Sequence, residues 1–195
     1  MSYIGSKPAN KPVVASDLDP AVITGQTALT SSPAATDEFI ISDAGVLKRL
    51  DASLIGGANS PTWSATMGSN QSISANTTTK LNFNTEQWDI GTGFNTSNYN
   101  YTVPSGGAGK YALTATVTLH NAASGNRISC NIYKGGSALA LKNEYSSQTQ
   151  DTQSTVSFSA ILSAGDVLDV RASTDQGSPQ FDAANSFFSG FKIIE

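Results

Sequence analysis

The sequence predicts an all-β antiparallel fold: a sandwich, a Greek key or a jelly roll. Three observations carry that expectation. Short runs of alternating apolar residues recur at regular spacing from residue 61 onward. Gly- and Asn-rich turns separate them, and no amphipathic helix of useful length interrupts them. The polarity is of the right kind: charged residues make up 13% and hydrophobic residues 38%, so Ser, Thr, Asn, Gln and Gly carry the rest. A disordered chain would be more charged and poorer in β-branched and aromatic residues.

The first 60 residues differ from the remainder of the chain. Pro8, Pro12, Pro20 and Pro33 break up any long regular element, and "ASDLDPAVITG" holds one helical turn at most. The exception is "DEFIISDAGVLKRLDASLIGG". Its runs Phe39–Ser42 and Val46–Leu50 flank Asp43-Ala44-Gly45 and predict a small hairpin. A lone hairpin is marginal and needs a surface to pack on, which makes Phe39, Ile40, Ile41, Val46, Leu47 and Leu50 candidate attachment residues. "GGANSP" then reads as a linker. The expected organisation is an arm over 1–60 and a globular head over 61–195.

Within the head, "TKLNFNTE" alternates Leu81 and Phe83, and "YNYTVP" alternates Tyr99, Tyr101 and Val103 before Pro104 stops it. "GKYALTATVTLH" places Tyr111, Leu113, Ala115, Val117 and Leu119 on one face. The opposite face carries Ala112, Thr114, Thr116, Thr118 and His120. "RISCNIYKGG" and "SALALKNEY" predict a hairpin turning at Gly135-Gly136. "STVSFSAILSAGDVLDVRAS" predicts a second pair, turning at "SAGD". The closing "SFFSGFKII" is apolar for a terminus and predicts a buried last strand.

Several functions are excluded on residue types. A net charge of −4 does not suit a nucleic-acid binder. With one His and one Cys, and no nucleophile–base spacing, no catalytic residue is predicted. Cys130 shares a strand face with Ile128 and Ile132 and reads as a buried hydrophobe. Asp166 and Asp169 lie three apart on a strand, so they face opposite ways and cannot share a substrate. Asp175, Asp182 and Glu144 are loop or strand-end acids without an Asp-x-Asp-x-Asp loop, so no metal and no cofactor is expected. His120 reads as a solvent or interface imidazole. "MSYIGSKPAN" lacks an apolar signal-peptide core and no run is long enough to span a membrane, which points to folding in a cytoplasm.

Four motifs in order resemble a known family. They are the strand start at Pro104, Gly109 and Tyr111, the strand ending in "YKGG", the Gly165-Asp166 turn, and the terminal Phe188, Gly190 and Phe191. Together they resemble the complement first-component q globular head, one of the tumour-necrosis-factor-like jelly rolls. The resemblance covers roughly residues 80–195 well and 61–80 loosely. It implies a jelly-roll sandwich that forms a homotrimer without catalysis, with the last strand central to a sheet. Carried over by position, Tyr111, Phe188 and Phe191 become the expected threefold contacts.

The first 55 or so residues resemble something else: the leader of structural proteins of marine tailed phages, above all fibre-like ones. That resemblance implies a bacteriophage virion protein, folded in the host cytoplasm, whose arm attaches to other virion proteins. A capsid decoration or head fibre bound to the major capsid protein is the first expectation. A short tail fibre that recognises a host-surface glycan is the alternative, with Trp88, set in the polar stretch "TEQWDIGTGFNTSNYN", as the candidate sugar contact. The aromatics Trp63, Trp88, Phe94 and Tyr99 otherwise read as core filling and subunit contact.

Overall fold

The structure is a computed structural model. It describes residues 27, 34, 36–44, 46–52 and 59–193, with the side chains of Ser42 and Leu47 outside the description. Contacts divide the chain into two units, residues 1–55 and 56–195. The first contains one antiparallel hairpin, β1 (Glu38–Asp43) and β2 (Val46–Asp51). The turn falls where the sequence puts it, with Ala44 in the left-handed region at φ 49°.

The second unit contains two antiparallel sheets and, among the described residues, no α-helix. One sheet has seven strands. These are β3 (Thr62–Thr66), β4 (Gln71–Ser72), β6 (Thr85–Ile90), β9 (Gly109–Ala122), β12 (Gln150–Leu162), β14 (Gln180–Phe181) and β15 (Phe187–Lys192). The other has six. These are β5 (Thr79–Lys80), β7 (Phe94–Asn95), β8 (Asn100–Thr102), β10 (Arg127–Lys134), β11 (Ser137–Tyr145) and β13 (Val167–Thr174). Five strands of the first sheet lie in the order β12-β9-β15-β3-β6, with β15 paired on both sides, so the apolar terminus is a central strand.

The period-2 pattern of β9 folds as written. Tyr111, Leu113, Ala115, Val117 and Leu119 are all buried and face the second sheet. There they meet Ile128, Cys130 and Ile132 of β10, with the Cys130 thiol donating to Ala115 O at 3.5 Å. The two sheets also lock through aromatic rings. Trp63 of β3 stacks on Tyr101 of β8 with centroids 3.5 Å apart and planes 9° apart, and Phe188 presents its edge to Trp63 at 5.6 Å. The β10–β11 hairpin turns through Gly135 and Gly136 at φ 55° and 84°, the pair of positive angles a two-residue loop demands.

Three local expectations change. The "STVSFSAIL" and "DVLDVRAS" strands do not pair: β12 joins β9, whereas β13 joins β10. The turn between them instead carries the chain from one sheet to the other. Asp166 organises it, its backbone N–H donating to Ser163 O and its carboxylate accepting from Ser163 N at 2.9 Å. Tyr99 does not continue the alternation of Tyr101, because it sits at φ 53° in a turn ahead of β8. Leu81 and Phe83 are fully buried as the pattern demands, but the strand ends at Lys80 and they reach the core from irregular backbone.

Candidate functional site

A sandwich has two outer faces, and here they differ in chemistry. On the six-stranded sheet the outer face carries charge. Asp169 accepts from Arg171 Nε at 2.7 Å and pairs with Lys80 at 3.6 Å, while the Arg171 guanidinium lies 4.2 Å from the Tyr133 ring centroid. Leu141 and Tyr145 are exposed on β11 at that sheet's margin.

The outer face of the seven-stranded sheet is built otherwise. Strand register lines its outward residues into rows that cross five strands. One row runs Ser159, Ala112, Phe191, Thr62, Ile90. The next runs Ser157, Thr114, Ser189, Ser64, Trp88, and the third Thr155, Thr116, Phe187, Thr66, Thr85. No row contains a charged residue. Hydroxyls satisfy one another across strands, Thr116 with Thr155 at 2.8 Å and Thr114 with Ser157 at 3.2 Å. Beside the first row Ile161 is 75% exposed, and within it Phe191 is 42% exposed. Three rows without a charge, set with large exposed apolar side chains and bordered by Lys110 across from Ile161, have the composition of a contact surface.

The three aromatics expected at a subunit contact part company. Tyr111 and Phe188 have no exposed surface and point into the sandwich, where the Tyr111 hydroxyl donates to Gly107 O at 2.6 Å. Neither offers area to a partner. Phe191 alone points outward. The reason is the strand period: Phe188 and Phe191 are three residues apart and must face opposite ways. Trp88 stands outward on the edge strand β6, half exposed, its indole N–H 3.4 Å from Thr62 Oγ1. Trp63 is core, and Phe94 packs against the core.

In the hairpin, register puts Phe39 beside Leu50, and Ile41 and Val46 on that same face. Ile40 lies on the other face, 82% exposed, next to an ion pair of Glu38 and Arg49 at 2.9 Å. The side chain of Leu47 lies outside the described residues.

The groups that titrate are occupied structurally. Burial pushes the Cys130 thiol up to about 12, so it is a packing group and not a nucleophile. Burial also raises the Tyr101 and Tyr111 phenols. Asp166 is held below the ordinary carboxylate range chiefly by the Ser163 N–H; burial opposes this, and Lys134 Nζ at 3.1 Å adds to the lowering. One cluster has no counterpart in the sequence pattern: His120, Asp151 and Asp182 come from three separate segments to a single point.

No family model matches the sequence, and no curated protein matches it. Solved structures do. The globular domain of zebrafish complement 1qA protein superposes with a TM-score of 0.52 at 16% identity, covering 68% of this chain and 97% of that one. Murine APRIL at pH 5.0 superposes with a TM-score of 0.54 at 13% identity, covering 68% and 98%. At such identities the likeness is one of fold: residues 59–193 form an antiparallel jelly roll of the complement-globular-head and tumour-necrosis-factor-like type.

Proposed function

We propose that this chain is a bacteriophage virion structural protein. Three copies associate through the three uncharged rows on the outer face of the seven-stranded sheet, and the 1–60 arm fastens the resulting knob to the particle as a capsid decoration or head fibre. The observation that carries the assembly is the contrast between the two outer faces. Covering Phe191, Ile161 and Ile90 removes apolar area from water and strands no charge within the three rows, Lys110 opposite Ile161 lying at their margin, whereas covering the Asp169–Arg171–Lys80 face would desolvate the partly exposed Arg171 and Lys80. A closed ring of copies satisfies the face without leaving an open end. The resemblance of the first 55 residues to phage leaders supports the virion setting. The hairpin face of Phe39, Ile41, Val46 and Leu50 supports the arm as the adhesive part.

The mechanism is burial and symmetry. No residue is assigned a catalytic role. The major capsid protein is the proposed partner, because a threefold knob matches a threefold position on a shell and can clamp neighbouring subunits. The half-exposed Trp88 on an edge strand favours one second reading, a short tail fibre that stacks a host-surface sugar on the indole.

The two readings separate when tail-less, undecorated heads of the parent phage are mixed with full-length protein and sedimented. Saturable co-sedimentation, abolished by Phe39→Ser with Val46→Ser, supports a decoration protein held by its hairpin. Absence of binding overturns the capsid reading and moves the tail-fibre reading to first place.

A further inference from the structure

The cluster of His120, Asp151 and Asp182 lies at the opposite end of β9 from Ala112, roughly 26 Å away at about 3.3 Å per strand residue. Its parts converge through local irregularities. Asp151 sits where the β12–β9 register shifts, between Gln150 and Thr152, and such a bulge re-aims a side chain. Its Oδ1 accepts from Asn121 N at 2.8 Å. Asp182 follows β14 directly and is tied down by its own backbone: its N–H donates to Thr118 O at 2.8 Å, and its C=O accepts from Ser186 Oγ at 2.6 Å.

The decisive detail is His120 Nδ1. It has no exposed surface and no hydrogen-bond partner, although Asp151 Oδ1 is 3.1 Å away and Asp182 Oδ2 is 3.4 Å away. Both oxygens are close, but neither lies on the ring N–H line. Such distances fit donors gathered around a shared ion as well as they fit an ion pair. Donors about 2.1 Å from a cation stand about 3.0 Å apart at a right angle and about 3.4 Å apart at the tetrahedral angle. All three donor atoms lie within 4.8 Å of one another. The other ring nitrogen, Nε2, is 2.8 Å from the Asn121 side-chain amide. The amide atom placed there is Nδ2; turned by 180°, the amide puts its oxygen at the ring, so that Nε2–H donates to it and Nδ1 keeps a free lone pair on the side of the two carboxylates.

We propose that His120, Asp151 and Asp182 form a binding site for a divalent first-row transition cation of the zinc type. One imidazole and two carboxylates suit such an ion. A calcium site would be built from oxygens alone, and a soft cation would ask for thiolates. Three protein ligands leave room for water, and His120 and Asp151 are open to solvent on one side, which provides the way in. The ion staples the ends of β9 and β12 to the connection between β14 and β15.

The test uses full-length protein stripped with a chelator and titrated with Zn²⁺, and with Co²⁺ as a visible-absorption probe. One ion per chain is expected. His120→Ala and Asp182→Asn should each weaken binding at least about tenfold, while Glu144→Gln leaves it unchanged. A folded far-ultraviolet spectrum qualifies each variant, and Asp182→Asn decides alone if His120→Ala does not fold. Absence of saturable binding overturns the proposal, as does unweakened affinity in the two ligand variants. Displacement of Zn²⁺ by equimolar Ca²⁺ overturns the assignment to the zinc type.

Discussion

Replacing Gly190 by Ala tests how the core is closed. Gly190 faces the interior on the central strand β15, paired with Trp63 on one side and Leu113 on the other. A Cβ there would come within 2.6 Å of Trp63 Cζ2 and 3.0 Å of Leu113 Cδ2. The indole cannot withdraw, because it is stacked on Tyr101 at 3.5 Å and edged by Phe188. Overpacking of this kind costs about 1–3 kcal/mol. The loss of unfolded-chain freedom works the other way by about 0.4–1 kcal/mol. The net expectation is a loss of about 1 kcal/mol, a shift of about 0.5 M in the urea midpoint at an m-value of about 2 kcal/mol/M. The assay is urea unfolding at one fixed chain concentration, followed by tryptophan fluorescence. Trp63→Phe removes the six-membered ring that the new methyl would strike, so the double variant should recover part of the loss. An unchanged or raised midpoint in Gly190→Ala, with the m-value preserved, would refute the close approach.

Three further outcomes rest on the same packing. Phe188→Ala should cost about 3–5 kcal/mol in urea unfolding and leave the assembly state of the folded fraction unchanged, because its ring never reaches the surface. Asp166 has its carboxyl held low in the folded state, so its stabilisation is present above an unfolded value of about 3.9 and is lost as pH falls through the folded value. Asp166→Asn should therefore lower stability by about 1 kcal/mol at pH 7 and flatten the acid limb of the stability–pH curve. Cys130 should resist aromatic disulfide reagents in native buffer and react once urea unfolds the chain.

Sequence reasoning reached the strands whose environment is uniform. The core face of β9 is legible because every second residue meets the same interior, and the Gly135-Gly136 turn is legible because few other residues accept both angles. It missed which sheet β13 joins, since "SAGD" can close a hairpin or carry a crossover with the same hydrogen bonds. At the candidate interface, period-2 geometry alone separates Phe188 from Phe191, a stronger signal than the positional resemblance that grouped them. The His120 cluster had no local signal. Its residues lie 31 apart in each step along the chain, and only the fold brings them together. A lone imidazole on the outward side of a strand was the single hint.

The central claim is that copies of this chain meet through the outer face of the seven-stranded sheet. Sedimentation equilibrium of the full-length protein tests it most directly, with Phe191→Glu plus Ile161→Glu run in parallel. The account predicts three times the chain mass of 20.2 kDa for the parent protein and a monomer for the folded double variant. A parent protein that stays monomeric at micromolar concentration, or a trimer indifferent to both substitutions, would contradict it.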